Sequence, residues 1–230
     1  MDMTTNIWGE GKIVVIIDGL LKEMHLLILL SDWLHGSGWI TSLVHNNVIT
    51  SGKADSMFSG SHIKRTRYAY QVTAGSLKIL LEYAYQQYLE NNPEEENSPT
   101  FDQWSDKQCE TGQQFKFWMT TLNLELMVLQ FIKPIWERDF QMYIQYLLKI
   151  VPWLFAFDHV NYTCWVPVHI SDMVNLQTTH PNVCHEFTNG HFAMQKTSNT
   201  FSAMSIDQCH EQLNDLIKDD GGAVGLTENP

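Results

Sequence analysis

Apolar residues recur at helical spacing over most of this chain, and this periodicity restricts the fold more than any other feature of the sequence. Residues 20–34 show it well, because Leu20, Met24, Leu27 and Ile28 fall on one face of a helix. Comparable spacing predicts further helices at residues 39–48, 68–89, 115–132, 136–151, 168–179 and 206–217. The chain is therefore predicted to be mostly α-helical.

Two short segments predict β-structure. Residues 13–17 are a β-branched run that ends in a turn, as a buried strand does. The pair Asn189-Gly190 stands between apolar residues and predicts a hairpin, with residues 193–201 as its second arm. Together with the helices, these segments predict a mostly α protein with a small β component, an α+β fold.

A polar, proline-bounded segment marks the best internal boundary of the chain. It separates residues 1–92, a strand plus an N-terminal helical region, from a polar linker at residues 93–114. Residues 115–230 then form a C-terminal helical region with a short hairpin and a final polar helix. Within this region, Pro134 and Pro152 predict helix breaks, because proline lacks the backbone N–H that a helix interior needs.

Composition and charge limit the class of protein. The 230 residues are 44% hydrophobic and 12% aromatic, which is typical of a folded chain. The net charge of -12 opposes non-specific DNA binding by this piece alone, because phosphate neutralisation needs clustered cations. The most apolar window, residues 13–30, is interrupted by charges, and the first residues lack a secretory signal. We therefore expect no membrane association and an intracellular location, nuclear or cytoplasmic, with reduced cysteines.

Carboxylates and a histidine in the final helix suggest a divalent metal site. Asp207 lies three residues before His210 and four before Glu211, so one helical turn could present all three to Mg²⁺ or Mn²⁺. An ordinary polar first turn, with acids favoured by the helix dipole, explains the same pattern. Asp18, after the predicted strand, is either a metal-binding carboxylate or a turn-forming residue. The five histidines between residues 159 and 191 lack the paired spacing of a zinc site.

One dense basic patch precedes the longest predicted helix. It contains Lys64, Arg65 and Arg67. Such a cluster can contact nucleic-acid phosphates, and it can equally be the solvated start of a helix. The patch is the candidate nucleic-acid-binding site of the chain.

Several sequence motifs together resemble a family of uncharacterised metazoan proteins that are derived from transposons and carry a domain of unknown function. The matching motifs are residues 32–39 (DWLHGSGW), 50–56 (TSGKADS), 65–73 (RTRYAYQVT), 157–162 (FDHVNY), 180–181 (HP), 207–212 (DQCHEQ) and 221–230 (GGAVGLTENP). The resemblance extends over nearly the whole chain. It departs from the family pattern at Leu21, where a histidine is usual.

The resemblance implies a relation to transposases with a ribonuclease H-like core, in which three carboxylates hold two Mg²⁺ ions. Residues 20–179 would then be mostly the helical insertion, and Glu211 would be the last catalytic acid. The first acid would lie upstream of Met1, so the chain is expected to be a truncated member without independent catalytic activity. DNA would be a partner of the parent protein, and the oligomeric state stays open. The alternative is a non-enzymatic helical scaffold or protein-interaction module that binds through an aromatic surface.

Overall fold

The computed structural model describes residues 13–17, 19–53, 63–93, 98–158 and 160–219. Their α-helices are, in chain order, α1 (Gly19–Trp33), α2 (Trp39–His45), α3 (Ile63–Asn91), α4 (Phe101–Thr111), α5 (Gln113–Glu137), α6 (Phe140–Ala156), α7 (Val160–Val174), α8 (Leu176–Thr179), α9 (Pro181–Thr188) and α10 (Ile206–Asp219). Strands β1 (Ala193–Gln195) and β2 (Ala203–Ser205) pair antiparallel, with Ala193 opposite Ser205. The mostly helical fold with a small β component is confirmed.

The chain divides into two compact units. The middle unit is Met24–Leu129, and the terminal unit combines Met1–Glu23 with Gln130–Pro230. The first boundary falls within α1 and the second within α5.

Aromatic side chains form much of the core of the middle unit. Trp104 is 4% exposed and its ring centroid lies 5.3 Å from that of Tyr85 and 5.6 Å from that of Phe115. Helix α4, which carries Trp104, begins at a capping box, because Thr100 and Gln103 each accept a hydrogen bond from the other's backbone N–H. Residues 93–114, predicted as a polar linker, thus contribute a capped helix and a buried tryptophan.

Aromatic contacts also hold the core of the terminal unit together. Phe140 at the start of α6 lies 5.3 Å from Phe187 of α9 and 5.5 Å from Phe192, measured between ring centroids. Phe192 leads into β1 and lies 5.3 Å from Tyr143. These contacts fix α9 and the hairpin against α6.

The β-branched run at residues 13–17 is not a strand in the structure. Its backbone is irregular, and its side chains range from half-buried to exposed. A β-branched run becomes a strand only when a neighbouring strand takes up its backbone hydrogen bonds. Among the described residues the sheet contains only β1 and β2, so this prediction was wrong.

The prediction that Pro134 and Pro152 end helices was also wrong. Both lie inside α-helices, in α5 and α6 respectively. Helix α5 ends after Pro134, just before Arg138, which has a positive φ of 60°. Asp139 then caps α6, because its side chain accepts a hydrogen bond from Met142 N at 2.9 Å. Helix α6 continues past Pro152 to Ala156. A helix tolerates proline where packing compensates for the lost hydrogen bond, and the buried face of each helix provides that packing.

The hairpin lies further along the chain than predicted. Asn189-Gly190 ends helix α9, where Gly190 has φ 90° and its N–H donates to Phe187 O at 2.9 Å. A Cβ atom on Gly190 would lie 2.8 Å from Arg138 Cβ, so the site admits only glycine. Residues 196–202 connect the two strands.

Candidate functional site

An open apolar groove runs along the middle unit between α3 and α5, with α2 and the residues after it on one side. Its volume is about 680 Å³, which is within the usual range for a binding site. The lining residues are Trp39, Ser42, Leu43, Asn46, Val48, Val72, Thr73, Ser76, Leu77, Leu80, Leu81, Ala84, Gln114, Phe115, Trp118, Met119 and Leu122. We call this feature the groove.

Helix α3 forms the longer wall of the groove. Two rows of residues four apart point to it, one at positions 72, 76, 80 and 84 and the other at 73, 77 and 81. The thirteen residues of helix from Val72 to Ala84 extend over roughly 18 Å. The groove is therefore elongated, and its length corresponds to about three turns of a helix.

Trp39 forms the floor of the groove and is fixed on two sides. Its indole Nε1 donates to Thr73 Oγ1 at 2.8 Å, and its ring stacks on Tyr70 with centroids 4.8 Å apart. The Tyr70 hydroxyl in turn lies 2.8 Å from Ser31 Oγ. These side chains are buried and hydrogen-bonded to one another, which favours a rigid floor.

The groove has an apolar interior and a neutral polar rim. None of its lining residues is charged. The polar residues Ser42, Asn46, Ser76 and Gln114 are exposed, whereas Leu81 and Leu122 are buried beneath them. Such a surface is suited to apolar side chains, and it carries no charge that would select the charge of a partner.

A buried carboxyl group lies in the same unit, on helix α5. Glu125 is 0% exposed, and neither of its carboxyl oxygens has a hydrogen-bond partner among the described residues. Burial raises the pKa of Glu125 to about 9, so the group is protonated at neutral pH. Burial likewise raises the pKa of Tyr70, although the Ser31 hydrogen bond opposes that rise. Sequence reasoning did not identify Glu125, which occurs within an apolar helical run.

Asp207, a predicted metal ligand, contacts the start of helix α1. Its Oδ2 atom accepts hydrogen bonds from Leu20 N at 2.8 Å and from Leu21 N at 3.2 Å. These are N–H groups of the first helical turn, which have no partner within the helix itself. The carboxylate therefore caps α1 and also opposes the positive end of its dipole.

The other predicted residues of the final helix lie one turn further along. His210 and Glu211 are both exposed on α10. Within the described residues, no three His, Cys, Asp or Glu side chains are grouped so that they could hold a metal ion. Asp18, the remaining predicted ligand, lies outside the described residues.

The basic patch forms the first turn of α3. Lys64 and Arg65 are exposed, and Arg67 is half-buried. Thr66 between them is fully buried, so the helix turns one side of this patch towards the interior of the middle unit. Cations at a helix N-terminus are unfavourable with respect to the helix dipole, and an anion bound beside them would offset this cost.

The terminal unit contains a buried polar cluster that the sequence did not reveal. Lys22 is 4% exposed and its Nζ donates to Ile17 O at 2.6 Å and to the Tyr143 hydroxyl. That hydroxyl lies 3.4 Å from His169 Nε2. Burial, helped by the Lys22 charge, lowers the pKa of His169 to about 3, so the imidazole is neutral. The one signal in the sequence was a lysine inside an apolar helical run.

Comparison with known proteins gives a family but no activity. The model of a family described as Domain of unknown function (DUF8702) matches residues 82–230. No curated protein and no solved structure matches the chain. In the described part of the chain, none of the helices is both long enough and apolar enough to cross a membrane.

Proposed function

This chain belongs to the family of the domain of unknown function DUF8702, and on that premise we propose that it is a non-enzymatic helical interaction module. Its proposed activity is to bind an amphipathic helix of a partner protein in the groove. The observation that supports this function is the groove itself, which is apolar, uncharged and about 680 Å³ in volume. An exposed apolar surface of this kind on a folded protein usually marks an interaction site.

The shape of the groove favours a helix over a compact ligand. Its walls are two helices, and side chains four residues apart on α3 leave a channel of about three helical turns. A third helix with apolar residues at spacings of three and four can place them between these walls, as in other helix-in-groove complexes. The half-buried aromatic side chains Phe115 and Trp118 supply contact area that such a partner would cover.

Two adjacent residues of α3 allow a matched test. Leu80 is 62% exposed and lines the groove, whereas Ile79 is 68% exposed and does not. We expect a labelled synthetic helical peptide, with leucines at i, i+3, i+4 and i+7, to bind the wild-type chain and the Ile79→Glu variant equally. Leu80→Glu should weaken binding at least tenfold, because it introduces a charge into an apolar contact. Equal affinity of both variants for the peptide in a fluorescence-anisotropy titration would exclude the groove as the site.

We also propose that the chain derives from a transposon-encoded protein whose parent was a metal-dependent, ribonuclease H-like DNA transposase. The motifs of the resemblance support this origin, as does the acidic first turn of α10. Under this proposal Glu211 and Asp207 are the remaining ligands for Mg²⁺ or Mn²⁺, with His210 and Asp18 as weaker ones. Lys64, Arg65 and Arg67 would be a remnant of DNA binding, and the protein would be nuclear or cytoplasmic.

A thermal melt with and without millimolar Mn²⁺ tests the proposed metal site. A metal ion at about 100 times its dissociation constant stabilises the folded chain by roughly 2.7 kcal/mol. We expect Mn²⁺ to raise the melting temperature of the wild-type chain and not that of Glu211→Gln. An Mn²⁺ effect of the same size in both proteins would remove Glu211 from the proposed site.

A further inference from the structure

Helix α10 exposes an apolar face over its C-terminal half. Leu213, Leu216 and Ile217 are 50%, 62% and 51% exposed, and their spacing of three and four residues places them on one side of the helix. The same stripe begins at Ile206 and Cys209, which are half-buried where the helix follows the hairpin. The apolar stripe is thus partly covered at its start and uncovered at its end.

A helix of this length needs a partner for its apolar face. Helix α10 has 14 residues, and isolated helices of about 12–15 residues are marginal in water. From Glu211 to Ile217 every described residue except Gln212 is exposed. The helix therefore lacks packing where its apolar residues are most concentrated.

The groove matches this helix in length and in chemistry. The 14 residues of α10 extend over about 21 Å, and the α3 wall over about 18 Å. The uncharged lining accepts aliphatic side chains and presents no like charge to Asp207, Glu211 or Asp215. In the structure the groove is open and Leu216 is exposed.

From these observations we propose that the groove binds the α10 helix of a second copy of this chain. The proposal rests on the proposed function and names its partner. Leu213, Leu216 and Ile217 of one copy enter the groove of the other, beside Leu80 and Trp118. Because the contact joins two different surfaces, two copies can exchange helices reciprocally and close as a dimer. The interface is small, so association should occur with a dissociation constant on the order of micromolar.

Light scattering of the full chain over a concentration series from about 1 to about 200 µM tests the proposal. We expect the wild-type mass to rise from one chain to two, and the Leu216→Gln/Ile217→Gln variant to remain at one chain. Asp215→Asn on the same helix is the control and should associate as the wild type does. These substitutions fall on exposed residues, and circular dichroism confirms that each variant is folded.

A mixing experiment identifies the two surfaces. Leu80→Glu alone and Leu216→Gln/Ile217→Gln alone should each be monomeric. Their mixture should form a one-to-one pair, because one variant retains an intact helix and the other an intact groove. A wild-type chain that stays monomeric, or that associates regardless of both variants, would overturn the proposal. If that monomeric chain still binds the synthetic helical peptide through Leu80, the proposed function stands and only the identity of the partner is wrong.

Discussion

Glu125 is a residue whose protonation depends on folding. Its carboxyl group ionises near pH 4.5 in the unfolded chain, whereas burial raises its pKa to about 9 in the folded protein. A raised folded-state pKa gives a contribution to stability that is complete below pH 4.5 and declines as the pH rises towards 9. At neutral pH the chain therefore takes up a proton at Glu125 when it folds.

We predict that Glu125→Gln stabilises the protein at pH 7 and has little effect at pH 4.5. Each pH unit between the two pKa values corresponds to about 1.4 kcal/mol, so the gain at pH 7 is at most about 3.5 kcal/mol. Urea unfolding at the two pH values measures it. Glu82→Gln, at a side chain that is 59% exposed, is the matched control and should change the unfolding free energy by less than about 0.5 kcal/mol. A gain that is the same at both pH values would contradict the assignment of the raised pKa.

At the scale of elements, a residue from one end of the chain caps a helix at the other end. Asp207 lies in the first turn of α10 and accepts hydrogen bonds from the first turn of α1. The approach is close, because a Cβ atom on Gly19 would lie 2.8 Å from Ser205 Cβ. The cap therefore joins α1 to the junction of β2 and α10 through a contact that local sequence patterns do not indicate.

We predict that Asp207→Ala destabilises the protein by about 1–2 kcal/mol, the usual cost of losing a helix cap. Asp207→Asn should cost less, because the amide oxygen still accepts the hydrogen bonds and only the charge is lost. Thermal melts of the purified variants measure both effects. Asp215→Ala on the exposed part of α10 is the control and should be nearly neutral. Equal melting temperatures for Asp207→Ala and this control would show that the cap contributes nothing.

For the whole molecule, the sequence predicted most of the helical segments, but it missed α4 and α9 and did not show where several helices end. The apolar spacing of residues 20–34 and 206–217 corresponds to α1 and α10 as observed. The end of α5 depends instead on Arg138, whose positive φ is accommodated beside Gly190, about fifty residues later. A local sequence pattern contains no information about such a distant neighbour. Pro134 suggested a helix end in the wrong place, because it lies inside α5.

The candidate sites, like the helices, could be predicted only in part from the sequence. The carboxylates of α10 were identified from their spacing, although the spacing did not reveal that Asp207 contacts α1. The groove was not predicted, because it needs residues of α2, α3 and α5 that are separated by up to 83 positions, from Trp39 to Leu122. The sequence contains one indication of the groove, which is the run of three consecutive apolar residues from Ile79 to Leu81. A helix with a single buried face does not need apolar residues at three consecutive positions.

The bond between Asp207 and Leu20 joins residues that are 187 positions apart. During synthesis on the ribosome, the N-terminal part of the terminal unit therefore emerges long before the residues that complete it. The middle unit is one continuous segment and can form its core first, since its contacts close shorter loops. Until α10 has been synthesised, the first turn of α1 lacks the Asp207 cap, and the nascent chain carries an unfinished terminal unit that is open to chaperones and proteases.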